Sequence, residues 1–194
     1  MAHPDVPGLP APVADLTARP RRYGFHATLK PPFRLAPGRR ADELATDVGR
    51  LAARLAPVRM EALALDRLGR FMALTPRGDA GALAALAAAV VTGLDTYRAP
   101  LGPDEVARRR PERLSPRQRA NLARWGYPFV LEEFRFHLTL TGPLDDDAAG
   151  TVGGALAPVL APLLPAPFEI GNICLFGAAD DGRFRPVHRY ALSG

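Results

Sequence analysis

RRYGFHATLKPP (residues 21–32) and EEFRFHLTLTGP (residues 132–143) carry matching runs, His26-Ala27-Thr28-Leu29 and His137-Leu138-Thr139-Leu140. Only four histidines occur in 194 residues, and two of them stand in these frames. Thr, Phe and Leu crowd both runs and Pro or Gly closes each, at Pro31-Pro32 and Gly142-Pro143, so both read as β-strands. Side chains alternate between the faces of a strand. His26, Thr28 and Lys30 then share one face of the first run, opposite Phe25, Ala27 and Leu29. Arg135, His137, Thr139 and Thr141 share one face of the second, opposite Phe136, Leu138 and Leu140. Each strand is expected to offer an apolar side to a core and a polar side with an imidazole beside a hydroxyl.

Two such faces meeting at one cleft suit the cleavage of a cyclic phosphate or phosphodiester. One neutral imidazole takes a proton from the attacking water or hydroxyl, and the other, protonated, donates to the leaving alkoxide. The threonine hydroxyls are placed to hydrogen-bond the non-bridging oxygens, where charge builds up. This chemistry calls for no metal and no cofactor.

The paired His-x-Thr runs resemble the signature of the 2H phosphoesterase superfamily, whose fold is also called LigT-like. The strings YGFHATLKPPF, RQRANLARWGYP and FRFHLTLTGPL resemble one branch more closely, uncharacterised proteins associated with bacterial phosphonate metabolism. The resemblance runs from about Arg21 to the C-terminus. It implies a two-lobed α+β fold with antiparallel sheets around a central cleft and a hydrolase active through His26, Thr28, His137 and Thr139. It also implies a substrate such as a ribosyl cyclic phosphate from carbon–phosphorus bond breakdown, with RNA-end 2′,3′-cyclic phosphates as the alternative. Members of that branch begin with an extra strand of the form Arg-Tyr-Ala-Ile-Tyr; this sequence starts too late to contain it, so either the gene model is short or the first lobe lacks that strand. A sheet edge would then be open unless a partner or the Pro-rich leader covers it.

Composition fits one compact domain. An apolar content of 47% over this length supports a sizeable core. The expected division is a Pro-rich leader, 1–20, a first lobe, 21–98, an Arg-rich connector, 99–128, and a second lobe, 129–194. The net charge of +5 rests on 24 arginines and one lysine, a bias that reflects genome composition more than nucleic-acid binding, though it favours a phosphate-bearing substrate. Cys174 is alone, so no intrachain disulfide forms and a reducing cytoplasm is expected. No signal peptide is visible, and the longest apolar stretch, Gly81 to Val91, is too short to span a bilayer. A monomer acting on a small phosphorylated molecule is expected.

The order of elements repeats. A helical pattern from Arg40 to Leu55, apolar at Leu44, Val48, Leu51 and Leu55, precedes strand runs Val58 to Leu65 and Arg70 to Thr75 with a turn at Asp66-Arg67-Leu68-Gly69. After the second motif come a helix from Asp146 to Leu164, a strand from Phe168 to Phe176, a turn at Asp180-Asp181-Gly182 and a strand from Phe184 to Leu192. Between the copies lie a helix from Gly81 to Tyr97 and the connector, with a short helix from Ser115-Pro116 to Gly126. The connector arginines read either as a lid binding a distal phosphate or as a solvated face with stems packed on the lobes.

Single residues divide in the same way. Lys30 on the catalytic face reads as a phosphate contact, Arg135 as an oxyanion clamp or an edge charge, and Tyr23 as a stacking ring. Phe25 by parity is core, Thr141 an ordinary strand residue, and His188 and His3 structural or incidental. Trp125 and Tyr127 either pack the connector down or line the substrate mouth. Two other classes compete: a metal hydrolase, for which no His-x-His-x-Asp-His or His-Glu-x-x-His spacing occurs, and a non-catalytic nucleotide- or RNA-binding module.

Overall fold

The structure, a computed structural model, describes residues 3–194. In chain order the elements are α1 (Val13–Leu16), α2 (Ala41–Ala52), β1 (Val58–Met60), β2 (Ala62–Leu68), β3 (Phe71–Arg77), α3 (Gly81–Gly93), α4 (Pro103–Ala107), α5 (Pro116–Trp125), β4 (Leu138–Thr139), α6 (Asp146–Leu160), β5 (Phe168–Ile170), β6 (Asn172–Ala178) and β7 (Phe184–Ala191). Short 3-10 turns join them. The architecture is α+β, with antiparallel sheets β2-β3-β4, β6-β7 and β1-β5.

Helix α2 forms because Leu44, Val48 and Leu51 recur at helical spacing and all three are buried. It stops at Ala52 rather than Leu55, because the backbone N–H groups of Ser193 and Gly194 donate to the Ala52 and Leu55 carbonyls and replace its next turn. The expected strand Val58 to Leu65 divides at Glu61: β1 pairs with β5, and β2 pairs with β3. The expected strand Phe168 to Phe176 divides likewise at Gly171. The turn of the first hairpin is Gly69-Arg70, later than Asp66 to Gly69, because Gly69 takes the left-handed conformation (φ 58°) that a two-residue hairpin loop needs at its first position. Asp66, Arg67 and Leu68 thereby join strand β2.

The two copies of the helix and hairpin order interleave. Helix α2, from the first copy, packs on β6 and β7 of the second, and α6, from the second, packs on β2 and β3 of the first. One core cluster joins Leu44, Val48 and Leu51 to Leu83, Leu86, Ile173 and Leu192. The other sets Met72, Leu144, Ala149 and Val152 under Leu65 and Leu140, with Leu9 and Leu16 of the leader packed against it. Gly142 donates to the Leu16 carbonyl at 2.7 Å, which seats the leader on the end of the second motif run. Completely buried side chains such as Leu83, Val91 and Val152 each contribute roughly 1.5–3 kcal/mol through area removed from water.

The first His-x-Thr run is not a strand. Only a single bridge, Ala27 to Leu138, ties it to β4, and the second run is a strand over Leu138–Thr139 alone. A 3-10 turn at Pro20–Arg22 and the left-handed Gly24 (φ 72°) precede the first bridge, and Pro31 and Pro32, which lack N–H donors, follow it. Strand propensity in the run has no partner N–H and C=O groups beyond one pair.

Candidate active site

Helix α6 covers the face of the β2-β3-β4 sheet that carries Leu65, Met72 and Leu140. Side chains of opposite parity stand on the other face. The register pairs Asp66 with Ala73 and Ala73 with Thr139, so these three cross the sheet in one row. The Ala27–Leu138 bridge extends it, since one residue to either side His26 stands opposite Thr139, and Thr28 opposite His137. Directly opposed Cβ atoms lie about 4.5–5.5 Å apart and diagonal neighbours about 7–8 Å, the spacing expected between the two histidines. The single bridge thus sets the backbones of the two motif runs side by side, even though the first run is coil.

Both imidazoles are anchored alike. His26 Nδ1 bonds the Gly24 carbonyl at 3.0 Å, and His137 Nδ1 bonds the Arg135 carbonyl at 2.7 Å, in each case two residues back along the chain. A carbonyl only accepts, so Nδ1 carries the proton of the neutral ring and Nε2 is left as the base. His26 Nε2 accepts from the Thr28 hydroxyl at 3.1 Å. His137 Nε2 has no hydrogen-bond partner among the described residues. Aromatic rings wall the pair: His26 stands 6.0 Å from Tyr23 and 5.8 Å from Phe176, and His137 stands 5.6 Å from Phe71. Tyr23 stacks on Phe184 at 5.0 Å.

A polar network shares this face. Arg77 donates to both oxygens of Asp66, at 2.7 and 2.9 Å, and the Thr75 hydroxyl donates to the same carboxylate. The guanidinium holds the Asp66 carboxyl below its ordinary range. Sequence reasoning missed this group and the Phe71, Phe176 and Phe184 rings. Its signal was present in β3, where Phe71, Thr75 and Arg77 have the parity opposite to that of buried Met72 and Leu74.

The other residues singled out from sequence fall elsewhere. Lys30 turns inward: its side chain is 6% exposed, and its ammonium donates to the Val91 carbonyl at 2.9 Å and pairs with Asp95 at 3.1 Å. Burial pushes the Lys30 ammonium below its ordinary value against the pull of Asp95. Burial likewise pushes Asp95 up, but bonds from Arg98 and Lys30 outweigh it and hold the carboxyl low. Arg135 is exposed, and its side chain has no ion pair among the described residues. Phe25 is 66% exposed rather than core, because strand parity does not apply to a residue following the Gly24 turn. Thr141 is buried and structural, accepting from Met72 N at 3.0 Å and donating to the Gly142 carbonyl. His188 is exposed against the edge of Tyr190, and His3 contacts Arg21. Trp125 and Tyr127 lie under the guanidinium groups of Arg124 and Arg109. Among the described residues no group of three or more His, Cys, Asp or Glu side chains is placed to hold a metal ion, and no helix is long and apolar enough to cross a membrane.

The protein is thus an α+β chain with two identically anchored histidines. It belongs to the family described as Protein of unknown function (DUF1045), whose model matches residues 28–185. Among curated proteins it is similar to "Ribose 1,5-bisphosphate phosphokinase PhnN" of Janthinobacterium sp. (strain Marseille), 42% identical over 141 residues, or 72% of this chain and 31% of that protein. The protein of the same name from Laribacter hongkongensis (strain HLHK9) is 39% identical over 139 residues, 72% of this chain and 32% of that one. The chain therefore spans about a third of the length of these relatives.

Proposed function

We propose that the chain is a metal-independent phosphoesterase of the 2H, LigT-like type, which opens a cyclic phosphate or cleaves a phosphodiester. The observation that carries this reading is the common anchoring of His26 and His137 through Nδ1, together with the bridge that sets the two motif runs side by side. A neutral Nε2 takes the proton of an attacking water as its oxygen bonds to phosphorus. The protonated Nε2–H of the other ring gives its proton to the alkoxide that leaves. Thr28 and Thr139 donate to the non-bridging oxygens, and the two histidines exchange roles between the forward and reverse directions.

The relatives' name supports a phosphorylated ribose and a link to phosphonate metabolism. It does not carry over the kinase activity: this chain corresponds to about a third of those proteins, and its sequence has no Gly-x-x-x-x-Gly-Lys-Ser/Thr loop. A ribosyl cyclic phosphate is therefore the substrate we favour. One observation favours an RNA-end 2′,3′-cyclic phosphate instead: Tyr23 and Phe25 expose their rings beside His26, where a base would stack. The test is turnover of free and RNA-terminal cyclic phosphates by wild type, His26→Ala and His137→Ala. Each substitution is expected to lower kcat by about 100-fold or more, the usual contribution of a general acid or base, with no effect of EDTA on wild type. Wild-type rates in either variant would remove the assignment.

A further inference from the structure

Immediately after the first motif run the chain borders a cavity of about 300 Å³. Lys30, Arg34, Arg98, Arg108 and Arg109 line it against a single lining carboxylate, Glu105, with Trp125 as an apolar wall. Lys30 follows Thr28 by two residues, so the backbone separation is at most about 7 Å. The volume is at the lower end of ligand pockets, suited to a small charged group rather than a large cofactor.

The cations differ in availability. Arg34 is committed to Glu105 at 2.7 Å and to the Pro100 carbonyl, and Arg98 to Asp95 at 2.8 and 3.0 Å and to the Arg124 carbonyl. Lys30 spends two of its three donors on Val91 and Asp95. Arg108 and Arg109 are exposed and make no ion pair among the described residues, although Arg109 rests on the Tyr127 ring at 4.9 Å. An inner set of locked cations and an outer pair of guanidinium groups, with Arg108 near enough to Glu105 to lower its carboxyl and neither in an ion pair among the described residues, is an arrangement for a tetrahedral dianion, which such forks bind bidentately.

We infer that this cavity seats a second phosphoryl group of the substrate, a phosphate monoester clamped by Arg108 and Arg109 while the cyclic ester lies at the histidines. The substrate class is then a doubly phosphorylated sugar or nucleoside, cyclic at one position and a monoester at another. The assignment to a substrate rests on the phosphoesterase reading; the binding of the anion does not.

The test has two arms on the full chain. Calorimetry with ribose 5-phosphate, inorganic phosphate and ribose is run on wild type, Arg108→Ala/Arg109→Ala and Arg113→Ala, the last removing charge from the connector outside the cavity. Ribose 5-phosphate is expected to bind wild type and Arg113→Ala alike and the double variant at least about tenfold more weakly, since charged hydrogen bonds of this kind carry that much. The same binding is expected in His26→Ala/His137→Ala. Steady-state kinetics then compare adenosine 2′,3′-cyclic phosphate with its 5′-phosphorylated form. The double variant is expected to raise KM about tenfold for the 5′-phosphorylated compound alone, leaving kcat unchanged.

Equal binding in wild type and the double variant, no binding to wild type, or loss of binding in the histidine variant overturns the site. Inorganic phosphate binding as tightly as ribose 5-phosphate, with both cyclic compounds used equally, assigns the cavity to a free anion and overturns the substrate inference. Arginine-dependent binding with no turnover of either compound leaves an anion site and overturns the substrate assignment, while the phosphoesterase reading stands or falls on the histidine variants.

Discussion

His26 and His137 meet the same constraint, a carbonyl two residues back that fixes the proton on Nδ1, so a working pair needs one ring neutral and the other protonated at Nε2. Such a pair yields a bell-shaped dependence of kcat/KM on pH, whose two limbs belong to the pair rather than to either ring. A profile flat through neutrality, with chemistry rate-limiting, would contradict the proposed acid/base roles. Glu105 makes a second prediction at this scale. The Arg34 hydrogen bond, with the Gly102 N–H, lowers its carboxyl from 4.5 to about 2. The folded value lies below the unfolded one, so the stabilising contribution is complete above about pH 4.5 and is lost as pH falls toward 2. A carboxyl chemical-shift titration should place the Glu105 midpoint near 2; a midpoint near 4.5 would mean that Arg34 does not hold it.

Helix α5 shows what an element owes to local signals and what it owes to its surroundings. Ser115 and Gln118 exchange side-chain and backbone bonds at 3.1 Å, Pro116 opens the first turn, and Gly126 closes the helix at φ 74°. Ser115, Pro116 and Gly126 were legible as sequence. The role of Gly126 in the fold was not: a Cβ there would stand 2.9 Å from Arg98 Nη1, the guanidinium that Asp95 and the Arg124 carbonyl hold in place. Gly126→Ala is expected to cost about 1–3 kcal/mol from the left-handed backbone and the displaced Arg98. In a chain of this size that lowers Tm by roughly 2–4 °C per kcal/mol. An unchanged Tm would show that Arg98 moves without cost. The first motif run is the opposite case. Its composition predicts a strand, yet one bridge is all it makes, because Gly24 and the two prolines deny it further partners.

The whole molecule is held together by exchange between its repeats, since α2 packs on β6 and β7, α6 packs on β2 and β3, and β1 pairs with β5. Neither half of the chain contains both a hairpin and the helix that covers it. The fragment 1–98 is therefore expected to remain unfolded in isolation, and the full chain to melt in one cooperative transition. Circular dichroism and thermal melting check both; a sigmoidal melt of the isolated fragment would show that its hairpin needs no α6. Helix positions and the α+β class were readable because they depend on periodicity and turn chemistry, both local properties of the chain.

Tertiary structure alone decided which helix covers which hairpin, that Lys30 turns inward to Asp95 while Phe25 turns outward, and that Asp66, Thr75 and Arg77 join the histidine face. Those outcomes follow from long-range register and competition for partners. A linear sequence states which groups a residue offers, and only the assembled sheet determines which of them are met.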